Sequence, residues 1–173
     1  MKAVNRYILT GFIAALFALA TVWVCLSQRH IDNGEILRVA GVSMQPTLNP
    51  GDKVRLIRVT DNTYQRGRLV AVSFKTRKRM MVKRIIAIAG DEVLWRDERV
   101  YVNGEPLVMD GWPENRRVSQ RSWKLLGIQL KKYQNHIPKN NVIVMGDNVR
   151  NSYDSGDFGM LSLDQISGYI HAY

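Results

Sequence analysis

At 173 residues the chain fits one domain with a real hydrophobic core plus a membrane anchor. Its one cysteine, Cys25, excludes an intramolecular disulfide and a four-cysteine zinc site. The net charge of +10 comes without aromatic interleaving or a nucleic-acid motif, so nucleic acid is not the expected partner.

The first element is apolar. From Tyr7 to Ser27 the chain carries no charge and consists mainly of Ile, Leu, Ala, Phe, Val and Trp. That approaches the roughly 20 residues a helix needs to cross the hydrocarbon core of a bilayer. Ala18-Leu19-Ala20 also fits a signal-peptide cleavage site, but the apolar run continues through Thr21 to Leu26, which a cleaved signal does not need. The reading favoured is an uncleaved anchor over 7–28 behind a tail over 1–6. Cys25 then packs in lipid; bulky Val22-Trp23-Val24 before it disfavours a lipoprotein site. Lys2 and Arg6 keep the tail cytoplasmic, which places everything after Arg29 outside.

Past the anchor the pattern is that of strands. Gly41-Val42-Ser43-Met44-Gln45-Pro46 reads as a turn, followed by strand-like Val54–Val59, Leu69–Phe74 and Val82–Ala89. Basic residues cluster between Lys53 and Arg84, including Lys75, Arg77, Lys78 and Arg79. Next to an anchor they suit anionic membrane lipids, and a solvated hairpin turn accounts for them equally well. Val100-Tyr101-Val102-Asn103-Gly104 carries the Asn-Gly hairpin signal. Between Trp95 and Pro138 the composition shifts to loop, and Ser122 to Gln134 reads as a helical turn or two at most, because the period is poor. Val142–Met145 is a further strand. The expected class is therefore mainly β, with a core from 36–94 and 141–173 and an inserted hairpin and loop region over 95–140.

Two residues stand out chemically. Ser43, on its turn, exposes a hydroxyl among backbone N–H groups that can converge on one point, as an oxyanion hole requires. Lys83 lies within an apolar strand, where alternation puts it on the same face as Met81 and Ile85. Burial disfavours the ammonium, and an amine left neutral near pH 7 can take the proton from a serine. A lysine that snorkels from an edge strand is the competing reading. Arg84 cannot serve as base, since its guanidinium stays charged, so it is expected to pair with an acid. His30, His136 and His171 are scattered and form no motif.

The segments Ser43 to Leu48, Lys83 to Asp91 and Met145 to Ser155 closely resemble the three central boxes of type I signal peptidases, in that family's order. With Gly51-Asp52 and Val102-Asn103-Gly104 the resemblance runs from about Gly41 to the C-terminus. It implies a signal-peptidase-like β-sheet catalytic domain behind one N-terminal transmembrane helix. It also implies a membrane-bound serine endopeptidase that removes signal peptides, with small residues before the cleavage site, from exported proteins. The implied place is the bacterial inner membrane, with the catalytic domain in the periplasm, and no metal or cofactor is called for. A specialised relative that matures pilins for conjugative transfer or secretion is the alternative.

By the same resemblance Ser43 is the nucleophile and Lys83 the general base. Ser152 matches the serine that hydrogen-bonds and orients the lysine, and Asp154 the acid that stabilises the site through an ion pair. Gly41 stands where some members carry a serine whose hydroxyl joins the oxyanion hole, so the hole relies on backbone N–H groups such as that of Ser43. Val149-Arg150 replaces a commoner Arg-Asp pair and Gly156 a common arginine, which leaves Arg84 or Arg150 as partner for Asp154. Asp147 and Asn148 read as turn chemistry.

Overall fold

The computed structural model describes residues 34–58, 64–75, 80–112 and 115–173. The expected tail, the anchor over 7–28 and the basic run 76–79 lie outside these residues. No helix among the described residues is long and apolar enough to cross a membrane.

Residues Glu35–Tyr173 form one compact unit. Its strands, in chain order, are β1 (Glu35–Arg38), β2 (Lys53–Ile57), β3 (Leu69–Val72), β4 (Met81–Ile88), β5 (Val93–Arg96), β6 (Arg99–Val102) and β7 (Glu105–Pro106). After helix α1 (Gln120–Lys132) come β8 (Asn141–Met145), the one-turn helix α2 (Ser155–Phe158), β9 (Leu161–Ser162) and β10 (Ile166–Ala172). A seven-stranded antiparallel sheet has the order β1-β2-β10-β3-β4-β8-β9, and β5-β6-β7 make a second, three-stranded one.

β4 is the spine of the larger sheet. Its sequence MVKRIIAI is apolar on both faces apart from Lys83 and Arg84, and Lys83 through Ala87 are all buried. A strand covered on both sides has no solvent face, which is why its pattern is a run rather than an alternation. β3 flanks it along Leu69–Val72, while β8 pairs only from Arg84 onward. Among the described residues, Met81, Val82 and Lys83 therefore pair with no strand on the side away from β3.

The small sheet follows from turn chemistry. Asn103 and Gly104 both adopt positive φ, 53° and 86°, as a two-residue hairpin between right-twisted strands needs. Asp97 and Glu98 do the same between β5 and β6, with φ of 52° and 59°. That hairpin has no glycine to announce it.

Two expectations need correction. Gln120–Lys132 is a 13-residue helix, not a turn or two. Its buried face is Trp123, Leu126 and Leu130, but Leu125 and Ile128 are exposed, so the sequence period is blurred. Ser119 caps the N-terminus, and Lys131 and Lys132 sit in the last turn, where the helix dipole favours cations. Trp123 stacks on Trp95 at 6.5 Å, which fastens the helix to the small sheet. The second correction is β10, a strand absent from the pattern reading. It lies between β2 and β3 and has a bulge at Ile166/Gly168; a Cβ on Gly168 would meet the Ile57 carbonyl oxygen at 2.2 Å.

Candidate active site

The turn between β1 and β2 carries Ser43, and the core holds it from below. Met44 and Leu48, both buried, pack with Val54, Leu56, Ala71 and Ile170. Alternation of buried and exposed positions along this turn leaves Ser43 half-buried at its rim. Gln45 N donates to Val42 O at 3.1 Å and Leu48 N to Met44 O at 2.9 Å, closing the turn on itself. Among the described residues nothing accepts from the Ser43 N–H, which stays available to a ligand.

β4 delivers Lys83 to the same place. The side chain is only 2% exposed, and Nζ lies 2.8 Å from Ser43 Oγ. Burial pushes the Lys83 amine below its ordinary 10.5, against the raising influence of Asp154, Asp147 and Asp157. The snorkelling alternative is thereby excluded: the amine is buried and, among the described residues, donates to Ser43.

Arg84, next along the strand, points the other way, as alternation demands. It is 4% exposed and grips Asp147 with two hydrogen bonds, Nε to Oδ1 at 2.8 Å and Nη2 to Oδ2 at 2.6 Å. Nη1 donates to Gly67 O at 2.7 Å. Thr47, on the serine turn, donates its hydroxyl to the same Asp147 carboxylate. Gly111 closes over this pair: with φ of +72°, a Cβ there would meet Arg84 Nη2 at 2.4 Å. Arg84 thus has the acid partner expected of it, but that acid is Asp147 rather than Asp154.

Asp147 and Asn148 are more than turn residues. Asp147 ties the β8 end of the sheet to both β4 and the serine turn. Asn148 N donates to Ser43 O at 2.9 Å and its side-chain amide to Val42 O at 3.1 Å. Sequence reasoning passed over both, and Thr47 with them, since Asp-Asn after glycine fits any loop. The pairing of a buried arginine in β4 with an unassigned acid was the one available signal.

Asp154 lies in the same cluster but makes no ion pair among the described residues. Its Oδ2 accepts from Gly146 N at 3.0 Å and Oδ1 from Gly156 N at 3.1 Å, and it caps α2. Burial pushes its carboxyl up; the nearby Ser152 hydroxyl, those two N–H groups and Lys83 oppose the rise. The Ser152 hydroxyl is buried without a partner in hydrogen-bonding geometry, so the expected bond to Lys83 is not formed here. Ser152 does approach the serine turn: a Cβ on Gly146 would meet Ser152 Oγ at 2.3 Å and Ser43 O at 2.5 Å. Gly41, the other oxyanion candidate, has open space where a Cβ would stand and does not occupy the left-handed region, contrary to the strain a glycine can signal.

A cleft of about 570 Å³ opens beside Ser43 and Lys83, walled mainly by apolar groups such as Leu37, Val39, Met81 and Val82. Ala40, Gly41 and Ala71 leave room along it.

The model of the family "Signal peptidase, peptidase S26" matches residues 4–173. The chain is 33% identical over 140 residues to signal peptidase IB of Staphylococcus aureus (strain Mu50 / ATCC 700699), covering 76% of this chain and 73% of that one. It is 29% identical over 175 residues to an inactive signal peptidase IA of Staphylococcus aureus (strain MRSA252), covering 98% and 91%. The crystal structure of a signal peptidase I from Enterococcus faecalis V583 matches 65% of this chain and 100% of that one, with 25% identity and a TM-score of 0.50. The described unit is mainly β with a signal-peptidase-like fold, and the chain belongs to the signal peptidases of family S26.

Proposed function

We propose that the chain is a membrane-bound serine endopeptidase that removes N-terminal signal peptides, with Ser43 as nucleophile and Lys83 as general base. The observation that carries this is the 2.8 Å contact between Ser43 Oγ and the buried Nζ of Lys83. Family membership alone does not decide activity, since one relative is an inactive signal peptidase. This chain retains a serine and a lysine in contact.

The geometry supports a definite sequence of steps. Neutral Lys83 accepts the hydroxyl proton as Oγ attacks the scissile carbonyl. Negative charge builds on the carbonyl oxygen, where the unengaged N–H of Ser43, and that of the neighbouring turn near Gly41, can receive it. Lys83 passes the proton to the leaving amine, the peptide bond breaks, and an acyl-Ser43 ester remains. Water then attacks the ester, with Lys83 again taking a proton, and Ser43 is restored. Asp154 holds the surroundings of the amine through its hydrogen bonds to Gly146 N and Gly156 N and through its charge.

The edge of β4 at Met81–Lys83 that pairs with no strand among the described residues suits an extended peptide that adds as a strand beside the sheet and leads its carbonyl to Ser43. The apolar cleft beside Ser43 suits the apolar residues before the cleavage point, and small residues there are what the family reading calls for. We place the anchor at 7–28, a tail at 1–6 in the cytoplasm and the catalytic unit outside the bacterial inner membrane. Incubation of detergent-solubilised protein with a labelled preprotein tests the reading. Wild type should release the mature product, whereas Ser43→Ala and Lys83→Ala should not. Turnover by Ser43→Ala within a few-fold of wild type would end it.

A further inference from the structure

The surface just past the serine turn carries three arginines, Arg116, Arg117 and Arg150. Arg116 and Arg150 border two cavities of about 500 and 330 Å³, and Arg117 joins them at the smaller. The larger is closed on its other side by Gln45, Pro46 and Asn49, which follow Ser43 directly. Two of the arginines are positioned by backbone carbonyls: Arg116 Nη2 donates to Gly111 O at 3.0 Å and Arg117 Nη1 to Asp97 O at 2.8 Å. Arg116 also lies over the Trp112 ring, 5.2 Å from its centroid. No carboxylate among the described residues forms an ion pair with any of the three. Asp147, which lines the larger cavity, is bound by Arg84. Asp154 and Asp157 line a separate cavity with Arg121 and Arg150, and both are engaged in the cap of α2.

This surface and the apolar cleft are both lined by the turn that carries Ser43. Ala40, Gly41, Ser43 and Met44 line the cleft, and the next residues of the turn, Gln45 and Pro46, line the larger cavity with Arg116 and Arg150. An extended substrate whose acyl part fills the cleft sends its amine part across the turn toward Asn148 and Arg150. From this geometry we infer that Arg116, Arg117 and Arg150 receive acidic side chains of the substrate just downstream of the scissile bond. The inference rests on the endopeptidase reading above. Guanidinium groups offer paired donors that match a carboxylate, and three that form no ion pair among the described residues set a local field favouring one.

Two peptides identical up to the cleavage point, carrying Asp or Lys at the second and third positions beyond it, test this. Wild type should cleave the Asp peptide with kcat/KM about 3–10-fold higher at low salt, mostly through KM, since such pairs are partly exposed. The ratio should fall toward one as salt rises to about 0.5 M, where screening shortens the reach of charge to a few Å. Arg150→Glu and Arg117→Glu should each reduce or invert it. Equal cleavage of the two peptides by wild type overturns the inference, as does an equal gain from Asp placed upstream of the bond. Binding of the same labelled peptides to Ser43→Ala protein reads the surface without turnover. Tighter binding of the Asp peptide there, with no cleavage by wild type, upholds the acidic-peptide site and sinks the endopeptidase reading instead.

Discussion

At the scale of single residues, the environment of Lys83 decides what the site can do. An amine 2% exposed pays a desolvation cost only while it is charged, so its pKa falls below 10.5. Below the folded pKa both folded and unfolded chains hold the proton, and the full cost weighs on the fold. Between the folded pKa and 10.5 the unfolded state binds more protons, so stability rises with pH through that window. Lys83→Met should therefore be inactive yet more stable than wild type at neutral pH, since it removes the cost of burying the ammonium. Urea melts at neutral pH and near 10.5 check this: the gap between the two proteins should narrow at the higher pH. Cleavage by wild type should rise with pH through the same depressed pKa. A flat profile, with chemistry rate-limiting, would count against Lys83 as base.

Gly41 permits a sharper test at the same scale. A Cβ there meets nothing within 4 Å, so serine and alanine should both be tolerated. Only serine adds a donor near the developing oxyanion. A well-placed donor of this kind is worth on the order of 10²–10³ in rate at other serine enzymes, and an imperfect one should still be measurable. Gly41→Ser should thus exceed Gly41→Ala in kcat severalfold, with equal melting temperatures. Identical rates would show that no side chain reaches the oxyanion from this position.

At the scale of elements, the site is held where β4, β8 and the serine turn meet, and Arg84–Asp147 is the clasp. Arg84 joins Asp147 and the Gly67 carbonyl, while Thr47 brings the serine turn to the same carboxylate. Removing the arginine strands a buried carboxylate. Arg84→Met should therefore cost about 3–5 kcal/mol, whereas Arg84→Met with Asp147→Leu should recover much of it. Thermal melts of the two singles and the double measure the coupling. Additive losses would mean that the two residues do not act as a pair. The turn should loosen in the single mutant, so its cleavage rate should fall further than its stability predicts.

At the scale of the whole molecule, the proposed anchor and catalytic unit occupy separate stretches of the chain. Glu35–Tyr173 is compact by itself, with the Ser43–Lys83 contact inside it. Deleting residues 1–28 should leave soluble peptides cleaved at rates within a few-fold of wild type. Processing of precursors inserted in bilayers should drop much more, because the proposed anchor would raise the local concentration of enzyme at its substrate. Equal loss on both substrates would mean that residues 1–28 serve the fold.

The sequence by itself determined the chemistry on offer and much of the local structure. A serine on a Gly/Pro-bounded turn, a lysine in an apolar run and the Asn103-Gly104 hairpin are signals carried within a few residues, and β2, β3, β4 and β8 follow from them. Mainly β architecture was legible for the same reason. Helix α1 was obscured because tertiary packing covers Trp123, Leu126 and Leu130 and leaves Leu125 and Ile128 bare, which the 3.6-residue period cannot distinguish. β10 escaped because a strand inserted between two others is defined by long-range pairing, not by its own pattern. Only the tertiary structure decided which acid serves which cation. Asp147 and Asp154 sit in one loop with similar neighbours, and the choice between them depends on the direction each points from β8. β4 sends adjacent side chains to opposite faces, so Lys83 meets Ser43 while Arg84 meets Asp147.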